Sequence, residues 1–102
     1  MLVVVALFEL HIEFAQSLKE KRMVVKSLRD KLRHRFEISA AEVGLQDVHQ
    51  HARIGVSFIV LEHAQADAML DRIVNFIESN TDATLTGWTS EKLEFDESAS
   101  LS

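Results

Sequence analysis

The chain has 102 residues, 47% of them apolar and 26% charged, and it carries a formal net charge of −5 at pH 7. This size and balance indicate one globular domain with a single hydrophobic core. The absence of cysteine excludes disulfides, thiolate catalysis and cysteine metal ligands, and the acidity argues against indiscriminate binding to nucleic acid or anionic lipid.

Residues 2–13 are rich in Val, Leu, Ile and Phe and are predicted to form a long strand. Its even positions are all apolar and should face the core: Val4, Ala6, Phe8, Leu10 and Ile12. This apolar start lacks the basic leading region of a signal peptide. No window of the chain approaches the roughly 20 apolar residues of a membrane span. We therefore expect a cytoplasmic protein without membrane contact.

Ser17 and Glu20 match a capping box and predict the start of a helix that runs to about Arg35. One side of this helix repeats apolar residues at helical spacing: Val24, Val25, Leu28, Leu32 and Phe36. A short strand is predicted over residues 38–45. In that strand Ala41, Val43 and Leu45 should face the core and Glu42 the solvent.

A third strand is predicted over residues 53–62, with its even positions 54–60 on the core side. Residues 66–79 follow a helical pattern but lack a good N-cap. Residues 84–95 are rich in Thr and contain Trp88, which favours a fourth strand. Residues 96–102 are acidic and serine-rich and are predicted to form a flexible tail.

The predicted order of elements is β-α-β-β-α-β. Its compact solution is a ferredoxin-like α+β sandwich, a four-stranded antiparallel sheet with both helices on one face and the other face open. Residues 1–95 would form this single domain.

The predicted first helix concentrates the positive charge of the chain. Residues 17–36 contain eight of the eleven Lys and Arg residues and two acids. Five of the bases follow one flank of the helix and form what we call the basic ridge: Lys19, Arg22, Lys26, Arg29 and Arg33. Such a row can follow a phosphate backbone. It can equally be a solvated helix face or bind an acidic protein.

Two further groups are predicted on the open sheet face. At one end, a polar cluster could hold a metal or be a set of solvated ion pairs: Glu9, His11, Glu13, Glu42, His51 and Arg53, with His49 in the adjoining loop. At the other end, an apolar patch is predicted to be a homodimer interface: Val3, Val5, Leu7, Ile59, Leu61 and Trp88. The spacing of the cluster matches no metal motif, so we expect no metal site, cofactor or catalytic residue.

The segments 15–22 (Ala-Gln-Ser-Leu-Lys-Glu-Lys-Arg) and 36–43 (Phe-x-Ile-Ser-x-Ala-Glu-Val) resemble the YlxP-like family of small bacterial proteins of unknown function. Gln46-Asp47 and Gly55 are also similar to that family. The chain departs from it in having no proline before the first segment and His49 where an aromatic residue is common. The resemblance implies a ferredoxin-like fold and no enzyme activity.

Members of that family are often encoded beside ribosome-maturation and translation factors. The resemblance therefore favours ribosomal RNA or a ribosome-associated partner for the basic ridge. The alternative is a homodimeric protein-interaction module that works through the open face and does not bind nucleic acid. The predicted core positions of Phe8 and Phe58 exclude a base-stacking platform on that face.

Overall fold

The computed structural model describes residues 1–80, 82–98 and 101. Its elements are β1 (Leu2–His11), α1 (Leu18–Phe36), β2 (Ser39–Glu42), β3 (His51–Val60), α2 (His63–Glu78) and β4 (Thr84–Glu94). The strands form one antiparallel sheet in the order β2-β3-β1-β4. The predicted ferredoxin-like order of elements is confirmed.

The core lies between the sheet and the two helices. The even positions of β1 from Leu2 to Leu10 are buried, as are Ile54, Val56 and Phe58 of β3. From α1 the core receives Val25, Leu28, Leu32 and Phe36, and from α2 Ala66, Leu70, Ile73 and Ile77. The alternation in β1 and β3 and the helical spacing in α1 therefore predicted the buried faces correctly.

Helix α1 is closed at both ends by local hydrogen bonds. The Ser17 hydroxyl accepts from the Glu20 amide at 3.1 Å, as in a capping box. The Glu20 carboxylate accepts from the Gln16 amide at 2.8 Å and so satisfies the residue before the cap. At the other end Glu37 adopts the left-handed conformation (φ 53°) and donates its amide to the Arg33 carbonyl.

Helix α2 begins at His63, three residues before the predicted start. The side-chain oxygen of Gln65 accepts from the backbone amides of Leu61 at 3.0 Å and Glu62 at 3.1 Å. A residue inside the first turn thus satisfies the two backbone amides that directly precede the helix.

The predicted orientation of β2 is wrong by one residue. Ile38 and Ala40 are buried, whereas Ala41 and Val43 are exposed on the open face. Leu45 lies in the following turn with a left-handed φ of 55°. Glu42, predicted to face solvent, points to the helix side. The segment carries small apolar residues on both faces, and a four-residue strand has too few positions to fix its phase from alternation alone.

The end of β4 lies beside the start of β1. The Phe95 amide donates to the Met1 carbonyl at 2.8 Å, and the Met1 ammonium donates to the Glu97 carboxylate at 2.5 Å. This hydrogen bond lowers the pKa of Glu97 below its usual value. Ala99, Ser100 and Ser102 lie outside the described residues, and the flexibility of the tail stays a prediction.

No helix in the part of the chain that the structure describes is long and apolar enough to cross a membrane.

A buried lysine joins α1 to the end of β2. Lys21 is the one charged residue of the described chain that is fully buried, with 0% exposure. Its ammonium lies 3.1 Å from Oε2 of Glu42 and donates a hydrogen bond to the Leu45 carbonyl. Glu42 Oε2 is buried, and its contact with the ammonium falls outside hydrogen-bond geometry, so the pair is held by charge. We call Lys21, Glu42 and the Leu45 carbonyl the lysine anchor.

The lysine anchor has a direct consequence for stability. Burying two charges costs desolvation that only their mutual attraction and added hydrogen bonds offset, so removing one partner leaves an uncompensated charge. The Glu42 side chain keeps 18% exposure. Water therefore reaches the Glu42 side chain from one side. We accordingly expect the free energy lost on removing Lys21 to lie at the lower end of the range for buried ion pairs.

We expect Lys21→Ala to lower the free energy of unfolding by about 3 kcal/mol, because it leaves the Glu42 carboxylate partly buried without its cation. The double variant Lys21→Met/Glu42→Leu should recover much of the loss, since replacing both charges by apolar groups is often nearly neutral. Urea unfolding followed by circular dichroism measures both. Lys31→Ala, on the exposed side of α1, is the control and should change stability by less than about 0.5 kcal/mol. A Lys21→Ala variant as stable as this control would contradict the role of the anchor.

Candidate nucleic-acid interface

Three members of the basic ridge are exposed on the solvent side of α1 without an acidic partner. Lys19, Arg22 and Lys26 are all exposed. Among the residues that the structure describes, no carboxylate forms a salt bridge with any of them. We call these three residues the exposed trio. Their charges are available to an external anion.

The other two members of the ridge are engaged within the protein. Arg29 Nη2 lies 3.0 Å from Asp30 Oδ1, and Arg33 Nη1 lies 4.0 Å from the same oxygen. Arg33 Nε also donates to the Ala40 carbonyl at 2.8 Å. The predicted five-residue site therefore divides into an exposed trio and two arginines with internal partners.

The bond from Arg33 protects the free edge of the sheet. Val43 donates its amide to the Arg53 carbonyl at 2.8 Å, so residues 39, 41 and 43 direct their backbone groups toward β3. The Ala40 carbonyl then points away from β3, to the edge that has no neighbouring strand. By donating a hydrogen bond to the Ala40 carbonyl, Arg33 removes one acceptor with which a strand of another chain could pair.

The polar cluster on the open face consists of two separate pairs. Arg53 Nε lies 2.8 Å from Glu9 Oε1, and both side chains are more than 40% exposed. The rings of His11 and His51 stack at 5.0 Å across β1 and β3. His51 is the first residue of β3.

Two predicted members of the cluster lie elsewhere. Glu42 is on the helix side, in the lysine anchor. Glu13 is exposed in the turn after β1. Within residues 1–80, 82–98 and 101, no group of three or more His, Cys, Asp or Glu side chains is placed to hold a metal ion.

The apolar patch on the open face is centred on β1. Val3 lies between Ile59 of β3 and Leu93 of β4 in the sheet register, and Val5 and Leu7 continue the row along β1. Val5, Ile59 and Leu93 keep 43%, 62% and 54% of their surface exposed. Leu61 is 72% exposed just beyond the end of β3. Leu93, which the pattern did not single out, belongs to this patch.

Trp88 does not lie on the open face, and this part of the prediction is wrong. Trp88 pairs with Phe8 across β4 and β1, and directly opposed residues share a face of the sheet. Phe8 is fully buried on the helix side, and the two rings stack with centroids 5.8 Å apart. The alternation of β4 is hard to read because each of its faces mixes polar and apolar residues. Its register also shifts between Glu9 and Leu10 of β1.

The fold has a solved counterpart. The structure aligns over 100% of its length with 95% of a de novo designed protein with a ferredoxin fold, solved by solution NMR, with a TM-score of 0.52 and 20% sequence identity. At this identity the likeness concerns the fold alone.

The sequence also has a natural relative. It is 35% identical over 65 residues to the uncharacterised protein YlxP of Bacillus subtilis (strain 168), and this match covers 64% of the chain and 71% of the relative. Residues 3–90 match the family described as protein of unknown function (DUF503). The predicted resemblance is confirmed: the chain belongs to the DUF503 family of proteins of unknown function.

Proposed function

We propose that this protein is a small cytoplasmic RNA-binding protein without catalytic activity, and that it contacts ribosomal RNA or a ribosomal particle through the exposed side of α1. The observation that carries the proposal is the exposed trio, three cations without acidic partners among the described residues of a protein whose net charge is −5. The protein has sixteen acidic residues. Six of its eleven Lys and Arg residues form no salt bridge with a described residue, and the exposed trio is the group of these that follows one flank of α1, where an extended external anion can contact all three.

The spacing of the trio suits a chain of phosphates. Lys19, Arg22 and Lys26 follow one another at i+3 and i+4, so their Cα atoms rise by about 4.5 and 6 Å along the helix. Long flexible side chains at this spacing can each contact a separate phosphate group. Contacts of this kind supply most of the sequence-independent affinity for nucleic acid. The helix face would therefore bind the RNA backbone and not read its bases.

The open sheet face supports a different role from that of RNA-recognition domains with the same topology. Those domains stack bases on aromatic residues of the central strands. Here Phe8 and Phe58 are buried on the helix side. The central strands instead expose aliphatic residues and the Glu9–Arg53 pair. RNA contact through α1 leaves this face available for another interaction.

Neutralising the exposed trio should weaken RNA binding and make it less dependent on salt. For Lys19→Gln/Arg22→Gln/Lys26→Gln, the slope of log affinity against log salt should fall by about 2, because each phosphate contact contributes about 0.7 for single strands. Fluorescence anisotropy with a labelled single-stranded fragment of ribosomal RNA over a series of salt concentrations measures the slope.

The matched control is Lys31→Gln/Arg53→Gln/Lys92→Gln, which also removes two lysines and one arginine. Arg53 and Lys92 are paired with Glu9 and Asp67, and Lys31 lies on another side of α1. The control should keep most of the wild-type slope. Equal losses in the two triple variants would show that net charge alone matters, and an unchanged slope in the trio variant would exclude this surface.

The apolar patch favours a second function, self-association through the open face. Ile59, Val3 and Leu93 form an apolar row across three strands, and Val5 lies beside it. An uncovered row of this kind is typical of an interaction surface, and a two-fold dimer is the commonest way to cover it. This function is compatible with RNA binding, since the exposed trio lies on the other side of the sheet.

Val5→Asp should convert a dimer to a monomer, because two carboxylates would be buried at the centre of the two-fold interface. Trp88→Ala is the control, since Trp88 lies on the helix side and its loss should leave the oligomeric state unchanged. Sedimentation equilibrium gives the mass of each variant, with circular dichroism to verify folding. Wild-type protein that stays monomeric at high concentration would contradict this second function.

A further inference from the structure

A second basic feature lies in the groove between the two helices. The groove is lined by two arginines, one from each helix, and by aromatic and neutral polar residues: Arg35, Phe36, Arg72, Asn75, Phe76 and Ser79. Among the residues that the structure describes, no acidic side chain lines it. It lies apart from the exposed trio, because Arg35 and Arg22 are on opposite flanks of α1.

Both arginines lie beside the ring of Phe36, and Arg35 also lies beside that of Phe76. The guanidinium carbon of Arg35 lies 5.8 Å from the ring centre of Phe36 and 5.2 Å from that of Phe76. The guanidinium carbon of Arg72 lies 5.4 Å from the ring centre of Phe36. The two rings meet edge to face with centres 5.7 Å apart, and Phe36 is buried. Cation–π contacts of this kind favour positions of both guanidinium groups beside the rings.

Neither guanidinium is engaged by an anion of the protein. The arginines that donate side-chain hydrogen bonds to described residues are Arg29, Arg33 and Arg53. In the part of the chain that the structure describes, Arg35 and Arg72 form no salt bridge. The two guanidinium charges beside the Phe36 ring repel each other, and no carboxylate of the described residues offsets this repulsion. The groove therefore contains two guanidinium groups without a salt-bridge partner among the described residues. Each of them has five N–H donors.

We propose that this groove binds a phosphate dianion, either free or as the terminal group of a small monoester. A guanidinium presents its donors as a planar fork that matches two phosphate oxygens, and two forks can satisfy a doubly charged group. Stacking on Phe36 and Phe76 holds the forks before the ligand arrives, which lowers the entropy lost on binding. Asn75 lines the same groove and can donate its side-chain amide to a remaining oxygen. The Ser79 hydroxyl already donates to the Phe76 carbonyl at 2.7 Å.

The test is a titration of the protein with inorganic phosphate at constant ionic strength, followed by the arginine Nε–H signals in NMR spectra. The signals of Arg35 and Arg72 should shift in a saturable way, and chloride should not reproduce the shift. Parallel titrations with glycerol 3-phosphate and adenosine monophosphate identify the source. A gain in affinity for either ester over inorganic phosphate assigns the site to that ester, and no gain assigns it to free phosphate.

Arg35→Gln/Arg72→Gln should weaken phosphate binding by about tenfold or more, because charge-assisted hydrogen bonds are lost. Lys31→Gln/Arg53→Gln removes the same charge elsewhere and should bind as the wild type does. Circular dichroism and a urea unfolding curve are needed, since the arginine stems also cover the two rings. If the double variant does not fold, the two single variants serve in its place.

Phosphate shifts confined to Arg22, the arginine of the exposed trio, or equal binding by the two double variants, would overturn the proposal. The titration contains no RNA and the exposed trio is intact in every variant used. Failure here would therefore leave RNA binding by α1 untouched, and failure of RNA binding would leave the groove untouched.

Discussion

The arrangement of the positive charges depends on the buried ion pair between Lys21 and Glu42. Lys21 comes from the first turn of α1 and Glu42 from the last residue of β2, so their attraction fixes the start of the helix against the edge of the sheet. The same ammonium holds the Leu45 carbonyl and with it the left-handed turn after β2. A buried pair is costly unless its geometry is kept, which makes this contact a strong constraint on the rotation of α1. With Lys21 turned inward, the exposed trio on the flank of the helix is directed to solvent.

The lysines and arginines of α1 thus have different roles. Lys21 is structural, and Arg33 protects the free edge of β2 through the Ala40 carbonyl. The exposed trio is directed to solvent, and Arg35 faces the groove between the helices with Arg72. The number of basic residues on α1, eight, does not by itself show these different environments. The two proposed anion-binding surfaces are separate, one extended along α1 and one confined to a groove, in a protein that is acidic overall.

The fold could be predicted from the sequence because β1, α1 and β3 each carry a long and regular apolar pattern. The failures have local causes. Around β2, Ile38 and Ala40 face the core, and Ala41 and Val43 on the other face are apolar as well. Alternation therefore does not show which face of this strand is buried. In β4, Trp88 follows a register shift. The burial of Lys21 could not be predicted from periodicity, because a lysine in a charged run is normally solvated. Lys21 lies in the first of the two segments that carry the family resemblance, and Glu42 lies in the second. The structure brings these two residues together.

The most direct test of the central claim, that α1 is the RNA-contacting surface, is a map of backbone amide shifts in NMR spectra as ribosomal RNA fragments are added. We expect the perturbed amides to lie in the first turns of α1, around Lys19, Arg22 and Lys26, and the strands of the open face to be unaffected. Perturbations centred on Val5, Ile59 and Leu93, or none at saturating RNA, would contradict it.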